Sequence, residues 1–388
     1  MADDNYTPKR HVMPDGSEVF EVDCSKLSKA ALMNRREILA AGALGVGAFL
    51  FAACGGGSDD TGTTSAAGGT TTDAGTSAAT TSDAAIGEGQ TIALSLNGFN
   101  VYCQQLATGV LEALAGTSYT FLGTQANFDA KTEISNIDNL IVQKPAALLI
   151  QPNVAEGANA GARKATAAGI PTFNMLWPDP TGDSPDYIAA VRVDGIAGGK
   201  IIADYLGDTA GLTGKILVVT GVPGQGFSEE ILTGLEQGLE AYPGLTIADV
   251  QPGFFQAGPA QEAVQTMLTA HPDAVAIADF AAEMGVGIAQ FMKARNIELP
   301  HITSDGNTDM ISWLQEGTYL SACRYYSSAD QGMVGAKIAR DYLETGTTPP
   351  DFITLIEQQL SLPDSIDADV ARLPLIYEQY MPEVEKIA

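Results

Sequence analysis

Histidine is scarce in this chain, with three in 388 residues. Two of them, His271 and His301, lie in the body of the sequence, each beside a proline. A catalytic centre built on imidazole is therefore poorly supplied. No Gly-x-Ser-x-Gly elbow is present, and no nucleophile, histidine and acid form a recognisable set. Cysteine is nearly as rare: Cys24, Cys54, Cys103 and Cys323 are the four. Neither residue type clusters with metal-ligand spacing, so no metal and no cofactor is expected. Basic residues are also few, 20 Lys and Arg against 47 Asp and Glu, for a net charge of −27. A surface this acidic repels nucleic acid and anionic lipid headgroups and argues against both as partners. Long apolar runs are missing too. Residues 38–53 are uncharged and mostly apolar, but sixteen residues fall short of the roughly 20 that a helix needs to cross a bilayer.

What surrounds that short apolar stretch is informative. Arg35-Arg36 precedes it, and Phe51-Ala52-Ala53-Cys54 closes it. A basic pair, an apolar stretch and small residues before a cut read as an export signal. The Arg pair resembles a twin-arginine signal, and the last four residues resemble a lipobox whose cysteine is acylated. Residues 1–53 are thus expected to leave, with seven acids and six bases, so that the processed chain keeps a charge of −26. Cys54 then becomes the acylated first residue and holds the chain at the membrane, with two or more acyl chains because one alone binds weakly. Residues 55–85 contain only Gly, Ser, Thr, Ala and Asp. Such a stretch buries too little apolar surface to fold. As a flexible tether it reaches roughly 30 Å, enough to lift a body off the headgroups. In an extracytoplasmic compartment Cys103 and Cys323 are permitted to pair; two buried free thiols are the favoured reading.

From residue 90 onward apolar strands alternate with amphipathic helices. Strands are expected at 91–96, 119–122, 146–151 and 171–175, then at 188–193, 215–220, 245–250, 274–279, 301–304 and 319–323. Ala147-Leu148-Leu149-Ile150 and Ile216-Leu217-Val218-Val219 are continuous apolar runs, as in strands buried on both faces of a parallel sheet. Ile134, Ile137, Leu140 and Ile141 share one helix face, as do Leu232, Leu235 and Leu239. Residues 155–168 end at Gly169 with Pro171 beyond, a helix stop. Repeated strand–helix units predict an α/β fold of two doubly wound parallel-sheet lobes.

Several stretches then resemble the ribose-binding-like class of type I periplasmic binding proteins, the solute receptors of sugar ABC importers. These are Asn136-Ile137-Asp138-Asn139-Leu140-Ile141 leading to Leu149-Ile150-Gln151-Pro152, then Ala167-Ala168-Gly169-Ile170-Pro171 and Val193-Asp194-Gly195-Ile196-Ala197-Gly198-Gly199-Lys200. Thr269-Ala270-His271-Pro272-Asp273, Ser304-Asp305-Gly306 and Asp330-Gln331-Gly332 complete the series. The resemblance implies two lobes joined by three hinge crossings, near 193–194, 325–326 and 353–354. It assigns 89–193 plus 326–353 to an N-terminal lobe and 194–325 plus 354–388 to a C-terminal lobe, after a signal at 1–53 and a linker at 54–88. It implies a lipid-anchored, monomeric solute-binding protein that is not an enzyme and that hands its ligand to an ABC permease. A ligand sensor, or a binder of a nucleoside or furanose signal, is the alternative within the same fold.

Ligands of open α/β sheets sit outside the carboxyl ends of the strands. Asn100, Tyr102, Trp177, Glu229, Phe255, Asp279, Phe280, Asp305 and Tyr325 fall there and are the candidate ligand-binding residues. The resemblance places Asn100, Tyr102, Phe255 and Asp305 on the family's Asn, two aromatics and the Asp of its Asp-Gly turn. Tyr325 falls where ribose binders carry Gln. Leu176-Trp177 stands in place of an Asp-Arg pair, Glu229 in place of a second Arg, Ala281 in place of an Asn and Cys103 in place of an aromatic. With both Arg donors gone, an anionic ligand loses its partners. Aromatic walls with carboxylate acceptors suit a neutral sugar, sugar alcohol or cyclitol. The Gly-rich loop 221–226 lacks the spacing of a phosphate loop, and Glu229 and Glu230 in the following turn would repel phosphate. Being adjacent, those two acids also point apart on a helix.

Overall fold

The computed structural model describes residues 9–13, 18–27, 91–176 and 186–372. Its strands fall into two sheets. The first has eight strands, in the order β1-β2-β4-β3-β5-β6-β7-β13. These are β1 (Lys9–Val12), β2 (Glu18–Asp23), β3 (Thr91–Leu96), β4 (Thr120–Gln125), β5 (Ala147–Ile150), β6 (Thr172–Asn174), β7 (Tyr187–Arg192) and β13 (Ile353–Leu355). From β4 to β13 every pairing is parallel. Helices α1 (Val101–Leu114), α2 (Ala130–Val142), α3 (Ala155–Ala167) and α9 (Ser328–Thr345) belong to this N-terminal lobe.

The second sheet has six strands, in the order β14-β12-β11-β10-β8-β9. They are β8 (Gly214–Thr220), β9 (Leu245–Pro252), β10 (Ala274–Asp279), β11 (His301–Ser304), β12 (Ala322–Tyr325) and β14 (Gln359–Ser361), the last antiparallel. Helices α4 (Gly195–Asp204), α5 (Gly226–Leu239), α6 (Ala257–Ala270), α7 (Ala282–Arg295), α8 (Thr308–Glu316) and α10 (Ile366–Arg372) complete this C-terminal lobe.

The expected apolar runs lie at the centres of the sheets. All four residues of β5 and the 216–219 core of β8 are fully buried, because helices cover both faces. The helix stripes hold with adjustments. Ile137 and Leu140 are buried, whereas Ile134 at the same face is 40% exposed. In α5 the buried stripe runs through Phe227, Ile231, Leu235 and Leu239, with Leu232 at its margin.

The chain passes between the sheets at 193–194, 326–327 and 356–358. The first matches expectation. The second lies one residue later than 325–326. The third lies beyond the expected 353–354, because Ile353, Thr354 and Leu355 pair in parallel with Ala190, Val191 and Arg192 of the N-terminal sheet. The crossings are tied together. Ile356 N–H donates to Arg192 O (2.9 Å) and Gln358 Nε2 to Asp194 O (2.8 Å). Arg324 Nη1 donates to Gln358 Oε1 (3.2 Å), and the Arg192 guanidinium pairs with Glu230.

Lys9–Val12 and Glu18–Asp23, inside the stretch expected to leave on export, form β1 and β2 at the outer edge of the N-terminal sheet. Cys54, the Arg pair, residues 55–85 and Trp177 lie outside the described residues. Among the described residues no helix is long and apolar enough to cross a membrane, and Cys24, Cys103 and Cys323 are buried free thiols.

Candidate ligand-binding site

A cavity opens between the lobes at the carboxyl ends of the strands, where ligands of open α/β sheets sit. The N-terminal lobe supplies Asn97, Asn100, Tyr102, Cys103, Phe128, Gln151 and Leu176. The C-terminal lobe supplies Gln225, Phe227, Phe255, Phe280, Ala281 and Asp305, and Tyr326 lines it from the second crossing.

The two lobes build facing walls by one device. Phe128 follows β4 and Phe255 follows β9, the corresponding loops of the two sheets. Each sits in a left-handed pair: Asn127 and Phe128 at φ 48° and 60°, Phe254 and Phe255 at φ 57° and 56°. Such backbone is uncommon outside glycine and concentrates at functional loops. Each ring lies over a glycine that follows the neighbouring strand. A Cβ on Gly98 would come within 2.2 Å of the Phe128 ring, and one on Gly221 within 1.9 Å of the Phe255 ring.

The polar groups are fixed from below. Asn100 caps α1, its side chain accepting from Cys103 N–H (3.2 Å). Asn97 is held by Pro152 O (3.1 Å) and by the Cys103 thiol (3.3 Å). Tyr102 donates its hydroxyl to Gln331 Oε1, and Gln331 Nε2 in turn donates to the carbonyls of Met175 and Val191 (3.0 Å to the latter). That network explains the place of Gln331 in the Asp330-Gln331-Gly332 stretch. Asp305, itself at φ 56°, accepts from Ala282 N–H (3.1 Å). Burial pushes its carboxyl up to about 8, with the Ala282 amide and the Arg324 guanidinium pulling the other way. Gln151 Oε1 and Gln225 Oε1 are buried without a protein hydrogen-bond donor. The cavity therefore presents two spare carboxamide oxygens as acceptors, with one carboxyl that can donate its proton below about pH 8 and only accepts above it. Among the described residues no cationic side chain lines it. Arg324 lies behind the wall, 5.0 Å from the Tyr326 ring and 5.7 Å from that of Phe227. Glu283, in the first turn of α7, lies near the Val101 amide at the start of α1 across the lobes, and burial raises its carboxyl above the ordinary value.

Of the nine candidate residues, Asn100, Tyr102, Phe255, Phe280 and Asp305 are brought together here. Three are placed elsewhere. Glu229 is exposed on the outer side of α5. Asp279 is fully buried in the C-terminal lobe, where it accepts from Thr303 Oγ1 (2.7 Å) and Ala281 N–H (3.1 Å) and pairs with His301 Nε2 (2.7 Å). His301 opens its strand, β11, as expected. Tyr325 is buried with its ring against Gly306, and its neighbour Tyr326 faces the cavity instead. Trp177 lies outside the described residues, next to the cavity-lining Leu176. Asn97, Phe128, Gln151, Gln225, Phe227 and Tyr326 were missed. Asn97 and Gln151 directly follow β3 and β5, so the strand-end rule covered them; the left-handed turn that aims Phe128 leaves no mark in the sequence.

The chain is similar to known proteins. The chain is 26% identical over 279 residues to the ribose import binding protein of Salmonella typhimurium, covering 69% of this chain and 91% of that protein. It is 24% identical over 239 residues to the xylitol-binding protein of Mycolicibacterium smegmatis, covering 61% and 68%. The crystal structure of an ABC transporter solute-binding protein from Bacillus halodurans with bound myo-inositol superposes with a TM-score of 0.67 at 17% identity, covering 76% of this chain and 100% of that one. The profile of the periplasmic binding protein domain matches residues 92–348. With that match taking in strands of both sheets and every residue that lines the cavity, the chain belongs to the periplasmic binding protein domain family.

Proposed function

We propose that the protein is a solute receptor of an ABC importer whose lobes close on a neutral polyhydroxylated ring or chain (a sugar, sugar alcohol or cyclitol). The observation that carries this reading is the placing of Phe128 and Phe255, from opposite lobes, on an interlobe cavity that offers acceptors and, among the described residues, no cation. Ring faces pack on the C–H face of a saturated ring, and Asp305, Gln151 and Gln225 accept from its hydroxyls. An anionic ligand would stand beside a carboxyl with no compensating charge. The names of the relatives, for ribose, xylitol and myo-inositol, support the same ligand class.

Closure follows from contacts to both lobes. A ligand shifts the open–closed population only by its differential affinity for the closed form. Phe128, Asn100 and Gln151 from one lobe and Phe255, Gln225 and Asp305 from the other supply that difference. We further assign Cys54 as the acylated anchor, Arg35-Arg36 to the export signal and residues 55–85 to the tether, with delivery to a permease at the outer face of the cell membrane. A thermal-shift screen against pentoses, hexoses, polyols, cyclitols, nucleosides and sugar acids tests the ligand class. A ligand at 100 times its Kd stabilises by about 2.7 kcal/mol, so a neutral polyol should raise the melting temperature by several degrees. A response confined to sugar acids or phosphates would refute the reading.

A further inference from the structure

The segment 18–27 is embedded in the N-terminal lobe. β2 runs antiparallel to β4, with Phe20, Glu21, Val22 and Asp23 opposite Gly123, Leu122, Phe121 and Thr120. Backbone bonds extend the match: Cys24 N–H donates to Tyr119 O (3.1 Å) and Gly116 N–H to Cys24 O (2.9 Å). The alternation of β2 serves both faces of the sheet. Phe20, Val22 and Cys24, with Leu27, enter the core beneath α1, while Val19 and Met13 enter the core beneath α2 with Ile137 and Leu140. β1 covers the outer side of β2, and His11 Nε2 meets Glu21 Oε2 at 2.9 Å. An isolated hairpin is marginal in water, so this pair is ordered only by a lobe that already exists. The family match begins at residue 92 and does not include it.

We propose that the outer edge of β4 is a strand-accepting surface whose partner is the chain's own residues 9–13 and 18–27, so that the uncut chain folds with these residues built into the N-terminal lobe. The mode is strand addition to a sheet edge, performed in cis. The docking stands without the export reading. Its consequence rests on that reading: removal of residues 1–53 strips the lobe of two strands and leaves β4 as a free edge, the form of edge that other chains pair with.

Hydrogen exchange on the purified full-length chain tests this. Val19→Asp should speed exchange at 120–125 and 18–23 by tenfold or more while leaving 301–304 unchanged. Equal exchange at 120–125 in both proteins, or free-chain rates at 18–23 in the wild type, would overturn the proposal. Should Val19→Asp fail to fold, the double variant Asp23→Cys, Thr120→Cys replaces it. Directly opposite positions have Cβ atoms about 4.5–5.5 Å apart, so an intramolecular disulfide should form under mild oxidation, and its absence would equally overturn the docking. The consequence is read separately. Cleavage at a protease site placed in 55–85 should raise exchange at 120–125 as the fragment leaves. Mass analysis of the membrane-bound chain then reports on processing: residues 1–53 still attached would refute the export reading and leave the docking intact.

Discussion

Replacing Asp305 by Asn should strengthen the empty protein and weaken the liganded one. The folded state holds the Asp305 proton to about pH 8, against an ordinary carboxyl value of 3.8, chiefly because of burial. A folded-state pKa above the unfolded one means the folded form binds the proton more tightly. The contribution of this carboxyl to stability is therefore fully present below about pH 4 and is lost as pH rises towards 8. At 1.36 kcal/mol per pH unit the handicap reaches roughly 4 kcal/mol at pH 7. Asn has no such handicap, and its Oδ1 still accepts the Ala282 amide. The melting-temperature gain of Asp305→Asn should thus be near zero at pH 4 and grow through pH 8, as read by calorimetric scans. Ligand affinity should move the other way. A hydrogen bond to a charged group contributes about 1.5–3 kcal/mol, so titration calorimetry at pH 8 should show binding weakened ten- to hundredfold. A variant destabilised equally at all pH values, with affinity within twofold of wild type, would make Asp305 a fold anchor and refute the reasoning.

Four further outcomes follow from the same geometry. Gly221→Ala places a Cβ 1.9 Å from the Phe255 ring. It should push that ring off the cavity wall, with a stability loss of about 1–3 kcal/mol and at least a tenfold loss of affinity. Asp279→Ala leaves His301 and Thr303 without their buried acceptor; it should cost about 3–5 kcal/mol in denaturant titrations while the folded fraction binds normally. Glu229→Ala, at an exposed position, should leave affinity within twofold. Glu283→Ala removes the carboxyl that lies near the Val101 amide across the lobes, and small-angle scattering of the empty protein should shift towards the open form.

The strands were legible because burial on both faces writes itself as unbroken apolar runs. β5 falls within a residue of its expected bounds and β8 contains the 216–219 run, while β3, β10 and β11 have the bounds expected for them. β13 was not legible: Ile353 and Leu355 are 38% and 56% exposed, so no burial pattern marks the strand, and the third crossing was placed too early. The errors at the site share a cause. A strand end names two neighbours that point to opposite faces, and the sequence does not say which faces the cleft. That is how Tyr325 was chosen over Tyr326. Asp279 also ends a strand, but its carboxylate is consumed internally by His301. β1 and β2 carry only a weak mark, Val19, Phe20 and Val22 among Glu18, Glu21 and Asp23 after a Pro-Asp-Gly sequence that favours a turn; a short hairpin is marginal alone, and nothing local says which sheet edge it joins.

The most direct measurement is a crystal structure of the protein with a ligand found by the thermal screen. The account predicts an uncharged, hydroxyl-bearing molecule lying between the Phe128 and Phe255 rings, donating to the Asp305 carboxylate and touching both lobes. A ligand bound outside that cavity, contacts to one lobe only, or a charged ligand held by Arg324 would contradict it.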